Sequence, residues 1–171
     1  MKHLLMLISL FAILILAGCG EPSNVQPLPS GATILAFGDS VTHGTGAGQG
    51  RNYPELLAET TGLKVINAGI PGDTAAQAKN RIAPLLDQHA PDLVIVELGG
   101  NDFLAKRSPQ QVKQDLSAIL STAKQRNIPV VLVAVPAFSV FRASAGALND
   151  SPIYGELGEE TRHCDESFAL V

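Results

Sequence analysis

Residues 33–40 read Thr33-Ile34-Leu35-Ala36-Phe37-Gly38-Asp39-Ser40, an apolar run that passes directly into a glycine, an acid and a serine. Its apolar part has no polar residues at alternate positions, as expected of a strand covered on both faces in a parallel sheet. Three more runs of this kind follow, at Lys64–Asn67, Leu93–Leu98 and Val130–Val135. Helix signals lie between them. Asn52-Tyr53-Pro54-Glu55 offers a cap and an early proline. Asp73-Thr74 can cap a stretch to His89, which Pro84 is expected to kink or split. Ser108-Pro109 opens the clearest helix, with Val112, Leu116, Ile119, Leu120 and Ala123 at helical spacing, and Asn127 and Pro129 end it. The order β-α-β-α-β-α-β predicts an α/β fold, a doubly wound three-layer sandwich on a parallel sheet.

The chain has 171 residues and is 46% hydrophobic, enough for one domain with a real core. A formal net charge of -4 argues against nucleic acid as a partner, which needs clustered Lys and Arg. Two cysteines exclude a disulfide framework and a four-cysteine zinc site. The positive mean hydropathy, +0.20, owes much to one segment. Residues 1–18 combine Lys2 with the apolar run Leu4–Leu16 and a small-residue exit, which reads as a signal peptide and is short for a spanning helix. Leu16-Ala17-Gly18-Cys19 looks like a bacterial lipobox with Cys19 as the lipid-bearing residue; the alternative is an ordinary signal peptide with an incidental cysteine. Residues 19–31, with Pro22, Pro27 and Pro29, read as a flexible tether, and residues 32–171 as the folded domain. The expectation is an exported, periplasmic protein held to a membrane by its N-terminal lipid.

In open parallel sheets, ligands sit beyond the carboxyl ends of the strands, so chemistry is sought in the loops that follow them. Ser40 stands on the sharp turn after the first strand, where its Oγ and backbone N–H face the same space. Thr42 occupies the place of the last glycine in a G-x-S-x-G elbow, and Asp39 or Ser40 acting only as a helix cap is the plainer alternative. The third loop, Gly99-Gly100-Asn101-Asp102, shifts the balance, because two glycines admit a ligand and an amide is a neutral donor suited to an oxyanion. Gly72, in the second loop, offers a backbone N–H with no side chain in the way.

Gly38-Asp39-Ser40, the Gly72 loop and Gly99-Gly100-Asn101-Asp102 together resemble the first three sequence blocks of the SGNH (GDSL-type) hydrolases, and most of all the bacterial arylesterase, thioesterase and lysophospholipase group. The resemblance covers about residues 33–160. It implies a flavodoxin-like sheet and hydrolysis of small acyl esters or thioesters through an acyl-enzyme, with no metal and no cofactor. It also implies Ser40 as nucleophile, with Ser40, Gly72 and Asn101 as the oxyanion hole and Asp39 as a brace of the turn.

A serine hydroxyl needs a base, which this family takes from a late Asp-x-x-His block. No Asp in the chain is followed by His three residues later. Of the four histidines, His3 lies in the signal, His43 in the turn after Ser40, and His89 is expected at the far end of the sheet. His163, beside Cys164 and Asp165, is a weak candidate for the base. The expectation is a domain without its last strand, last helix and base, weakly active or inactive. The alternative is a non-catalytic lipoprotein that keeps an acyl- or glycan-binding pocket. Gly44–Gly50 lacks the Lys-Ser/Thr of a phosphate loop and reads as a flexible segment near the site. Asp73 is read as a helix cap and Asp102 as a loop brace.

Overall fold

The computed structural model describes residues 27–136, 150–162 and 168–170. The proposed signal, Cys19 and His163 lie outside the described residues. Strands β1 (Thr33–Gly38), β2 (Lys64–Asn67), β3 (Leu93–Glu97), β4 (Val130–Leu132) and β5 (Phe168–Leu170) form one sheet in the order β2-β1-β3-β4-β5, with every pairing parallel. Helices α1 (Ser40–His43), α2 (Tyr53–Thr61), α3 (Ala75–Ala78), α4 (Ile82–His89), α5 (Gly100–Leu104), α6 (Pro109–Lys124) and α7 (Pro152–Arg162) connect them.

The four apolar runs are the first four strands. The fifth corrects the expectation that the last strand is missing: Phe168–Leu170 adds a three-residue edge to β4, too short to show as a pattern in the sequence. The helix starts follow the sequence closely. Asn52 caps α2 through Glu55 N at 2.9 Å, and Ser108 caps α6 through Gln111 N at 3.3 Å. The stretch after Asp73 splits before Pro84, which sits in the first turn of α4 where its missing N–H costs nothing. Thr74, not Asp73, caps α3, in a reciprocal box with Gln77.

Chain direction decides which face each helix covers. The β1-to-β2 crossover runs opposite to the later ones, and right-handed connections therefore put α2, alone among the described longer helices, on one face. The helices α4, α6 and α7 pack on the other, over Leu35, Phe37, Val94, Val96 and Leu132, and this face holds the main core. Across the sheet, Leu93, Ile95 and Val131 are only half-buried. An open groove of about 590 Å³, lined by Leu28, Ile34, Leu57, Leu63, Leu93 and Ile95, runs along that side. The expected cover on both faces is thus complete on one and partial on the other among the described residues.

Candidate active site

Ser40 is the first residue of α1, immediately beyond the carboxyl end of β1, and is half-buried. Asp39 is the cap, accepting from Val41 N at 3.0 Å. Four residues after Ser40, Gly44 turns left-handed (φ 94°) and closes the helix. A single turn of helix is not stable alone; here neighbours hold it. Asn67, the last residue of β2, donates from Nδ2 to Thr42 O at 2.9 Å. Gly69 lies so close beneath α1 that a Cβ there would meet His43 N at 2.2 Å.

The second loop carries Gly72, exposed and left-handed (φ 82°), with no neighbour within 4 Å of a Cβ position. Ile70 N donates to Gly38 O at 3.1 Å, which joins this loop to the serine turn. Arg81 fastens both. Its Nε donates to Asp73 Oδ2 at 2.7 Å, Nη1 to Ala68 O at 2.9 Å and Nη2 to Gly38 O at 2.9 Å. The guanidinium also stacks 4.1 Å above the Phe37 ring. The role of Asp73 as a helix cap is therefore corrected: its carboxylate serves this clamp instead.

The third loop begins at Gly99, whose φ of 120° suits glycine alone. Tyr154, brought in by α7, donates its hydroxyl to Leu98 O at 2.7 Å and leaves no room for a side chain at Gly99. Asn101 follows in the first turn of α5. Its Nδ2 donates to Asp39 Oδ2 at 3.0 Å and to Asp73 O at 2.9 Å, so one amide spans from the residue before Ser40 to the residue after Gly72. Asp102 is wholly buried and acts as the expected brace, accepting from Ala75 N at 2.8 Å and pairing with Arg107. Arg107 and Lys79 in turn share Asp115 on α6.

Beneath the serine turn sits a buried carboxylate pair. Thr42 donates to Glu97 Oε2 at 3.0 Å, and its hydroxyl lies 3.1 Å from that of Tyr53. Burial, then the nearby charge of Asp39, pushes the Glu97 carboxyl up to about 7. Asp39 is also raised, by burial first and then by Asp73. The Tyr53 phenol is pushed up to about 12, mainly by burial.

The structure thus gathers Ser40, Gly72 and Asn101 on loops fastened to one another at the carboxyl ends of β1, β2 and β3. Among the described residues no histidine side chain is hydrogen-bonded to any of them. His43 is exposed at the end of α1, and His89 ends α4 at the opposite end of the strands, next to the turn into β3. Among the described residues no group of three or more His, Cys, Asp or Glu is arranged to hold a metal ion. Sequence reasoning missed Arg81, Glu97, Thr42 and Tyr154. Glu97 alone had a visible signal, being a charged residue inside an otherwise apolar strand.

Residues 36–163 match the GDSL-like Lipase/Acylhydrolase family. Over 105 residues the chain is 41% identical to thioesterase 1/protease 1/lysophospholipase L1 of Escherichia coli (strain K12), covering 60% of this chain and 50% of that protein. It is 32% identical over 127 residues to esterase TesA of Pseudomonas aeruginosa, covering 71% and 63%. The crystal structure of AlinE4, an SGNH-hydrolase family esterase, has a TM-score of 0.68 and 35% identity, covering 85% of this chain and 77% of that one. The chain spans about half the length of the curated relatives it matches. With three quarters of its residues inside the family match and its three loops fastened as described, the chain belongs to the GDSL-like lipase/acylhydrolase family.

Proposed function

We propose that the domain hydrolyses carboxylic esters or thioesters of small acyl substrates, with Ser40 as nucleophile. The observation that carries this reading is the Asn101 amide bonded to both Asp39 and Asp73, which ties together the three loops that carry Ser40, Gly72 and Asn101. Ser40 Oγ attacks the acyl carbon, and the carbonyl oxygen takes the developing negative charge. That oxygen accepts from the backbone N–H groups of Ser40 and Gly72 and from Asn101 Nδ2. Both Nδ2 hydrogens already have protein acceptors at rest, so the oxyanion enters as a further acceptor and the existing bonds lengthen. The alcohol or thiol leaves with a proton, an acyl-Ser40 ester forms, and water releases the acid. His163 is the residue offered as base.

A fluorophosphonate probe tests the reading, since only an activated serine reacts with it. Labelling that disappears in Ser40→Ala supports the reading, and loss of labelling in His163→Ala assigns the base. Asn101→Ala is expected to lower turnover of a p-nitrophenyl ester about 10²–10³-fold. Absence of labelling at every pH favours the other reading, a binding protein that keeps the pocket without catalysis. Export and lipid attachment at Cys19 belong to the same proposal, supported by the Leu16–Cys19 pattern. Incorporation of a labelled fatty acid, lost in Cys19→Ser, tests it.

A further inference from the structure

Glu97 closes β3 with only 6% of its surface exposed, and nothing in the serine chemistry above uses it. Its surroundings tie it to the nucleophile turn from several sides. Thr42, completely buried, donates to Glu97 Oε2. Gly38 packs directly on the pair: a Cβ there would stand 2.0 Å from Thr42 Oγ1 and 2.6 Å from Glu97 O. The Asp39 carboxyl, 4% exposed, shares a side-chain hydrogen bond with Glu97. Its two oxygens also accept from Val41 N (Oδ1) and from the Asn101 amide (Oδ2). A continuous path of hydrogen bonds therefore runs from Tyr53 through Thr42, Glu97 and Asp39 to Asn101.

No cation among the described residues pairs with either carboxyl. The ionisable groups facing them are Tyr53 from α2, Tyr154 from α7 and Asp73 from the turn after β2, and Asp73 is already matched by Arg81. Two buried carboxyls in contact without a cation do not both ionise, and the pair keeps one proton.

We propose that Glu97 is a positioning residue for the serine chemistry read above: one proton, held on Glu97 and donated to Asp39, keeps the Gly38–Ser40 turn seated on β3 and aims the Asn101 amide. This rests on the proposed hydrolase reading. Burial, with the Asp39 charge second, places loss of that proton near neutral pH. Once it is gone, the two carboxylates repel, Asp39 withdraws, and the acceptor that orients Asn101 moves with it. Gln at position 97 keeps a donor for Asp39 and an acceptor for Thr42, so Glu97→Gln imitates the protonated state at every pH.

The test follows the Asn101 side-chain amide by 15N NMR in the intact domain, which needs no turnover. The native resonances are expected to titrate with a midpoint near pH 7, and those of Glu97→Gln to stay flat. Flat native resonances, or the same titration in Glu97→Gln, overturn the proposal. Should Glu97→Gln fail to fold, Thr42→Val decides: removing the donor to the Glu97 carboxylate raises the midpoint, and an unmoved midpoint overturns the proposal. Fluorophosphonate labelling supplies the functional readout. The ratio of Glu97→Gln to native labelling rates, in which the base's own titration cancels, is expected to rise up to about tenfold from about pH 6 to about pH 8. A ratio independent of pH contradicts the role in catalysis. No labelling at any pH defeats the hydrolase reading itself, while the amide titration still decides how Asn101 is held.

Discussion

A methyl group on Gly38 has nowhere to go, with Thr42 Oγ1 at 2.0 Å and the Glu97 carbonyl at 2.6 Å from where it would sit. Both obstacles belong to the layer that carries the nucleophile, and neither is the free end of a flexible side chain. Gly38→Ala is therefore expected to destabilise the domain by about 3 kcal/mol, read as a lower urea midpoint with an unchanged slope. At this scale the reactive atoms were legible in the sequence. Ser40 and Asn101 have residue types with obvious chemistry, in loops whose place in a parallel sheet is fixed. Their supports were not legible. The contacts of Thr42 with Glu97, and of Tyr154 with the Gly99 turn, join residues 55 and 56 positions apart, and no local pattern encodes such partners.

Among the elements, α1, α3 and α5 are four or five residues long and depend on tertiary contacts for their existence. Arg81, in the break between α3 and α4, shows how this is managed. Its three donors serve Asp73, Ala68 O and Gly38 O and so fasten the serine turn to the Gly72 loop. Arg81→Met keeps much of the apolar stem but leaves a buried carboxylate and two carbonyls without their donor. A loss of roughly 2–4 kcal/mol is expected by chemical denaturation. Fluorophosphonate labelling should fall with it even in molecules that remain folded. The longer elements were legible because their signals are local: Asn52 and Ser108 cap the helices they were expected to cap. Thr74 displaced Asp73 as the cap because the Asp73 carboxylate pairs with Arg81, eight residues further on.

At the scale of the whole sheet, the described residues cover one face well and the other only in part. Leu116 lies fully buried under the covered face, whereas Leu93 is half-buried on the open one. Leu116→Ala is accordingly expected to cost about 3 kcal/mol and Leu93→Ala about 1 kcal/mol, compared by urea denaturation. Equal costs would mean that something covers Leu93 in solution. Stability should also depend on pH through Glu97. Its carboxyl titrates at about 7 in the folded chain against an ordinary 4.5, so the folded state holds a proton that the unfolded state releases. Its contribution is whole below about pH 4.5 and is lost as pH rises toward 7, on the order of 3 kcal/mol. The difference between native and Glu97→Gln stability across that window measures it, and a constant difference would refute it. The sequence by itself determined the parallel α/β layout and the three loops that hold Ser40, Gly72 and Asn101, because periodicity, caps and strand-end position are local properties. Only the tertiary structure decided that, among the described helices, α2 alone serves one face, that Phe168–Leu170 pairs with β4, and that Glu97 meets Asp39. Each of these depends on handedness, edge pairing or charge burial between distant residues, which take effect only once the chain has closed on itself.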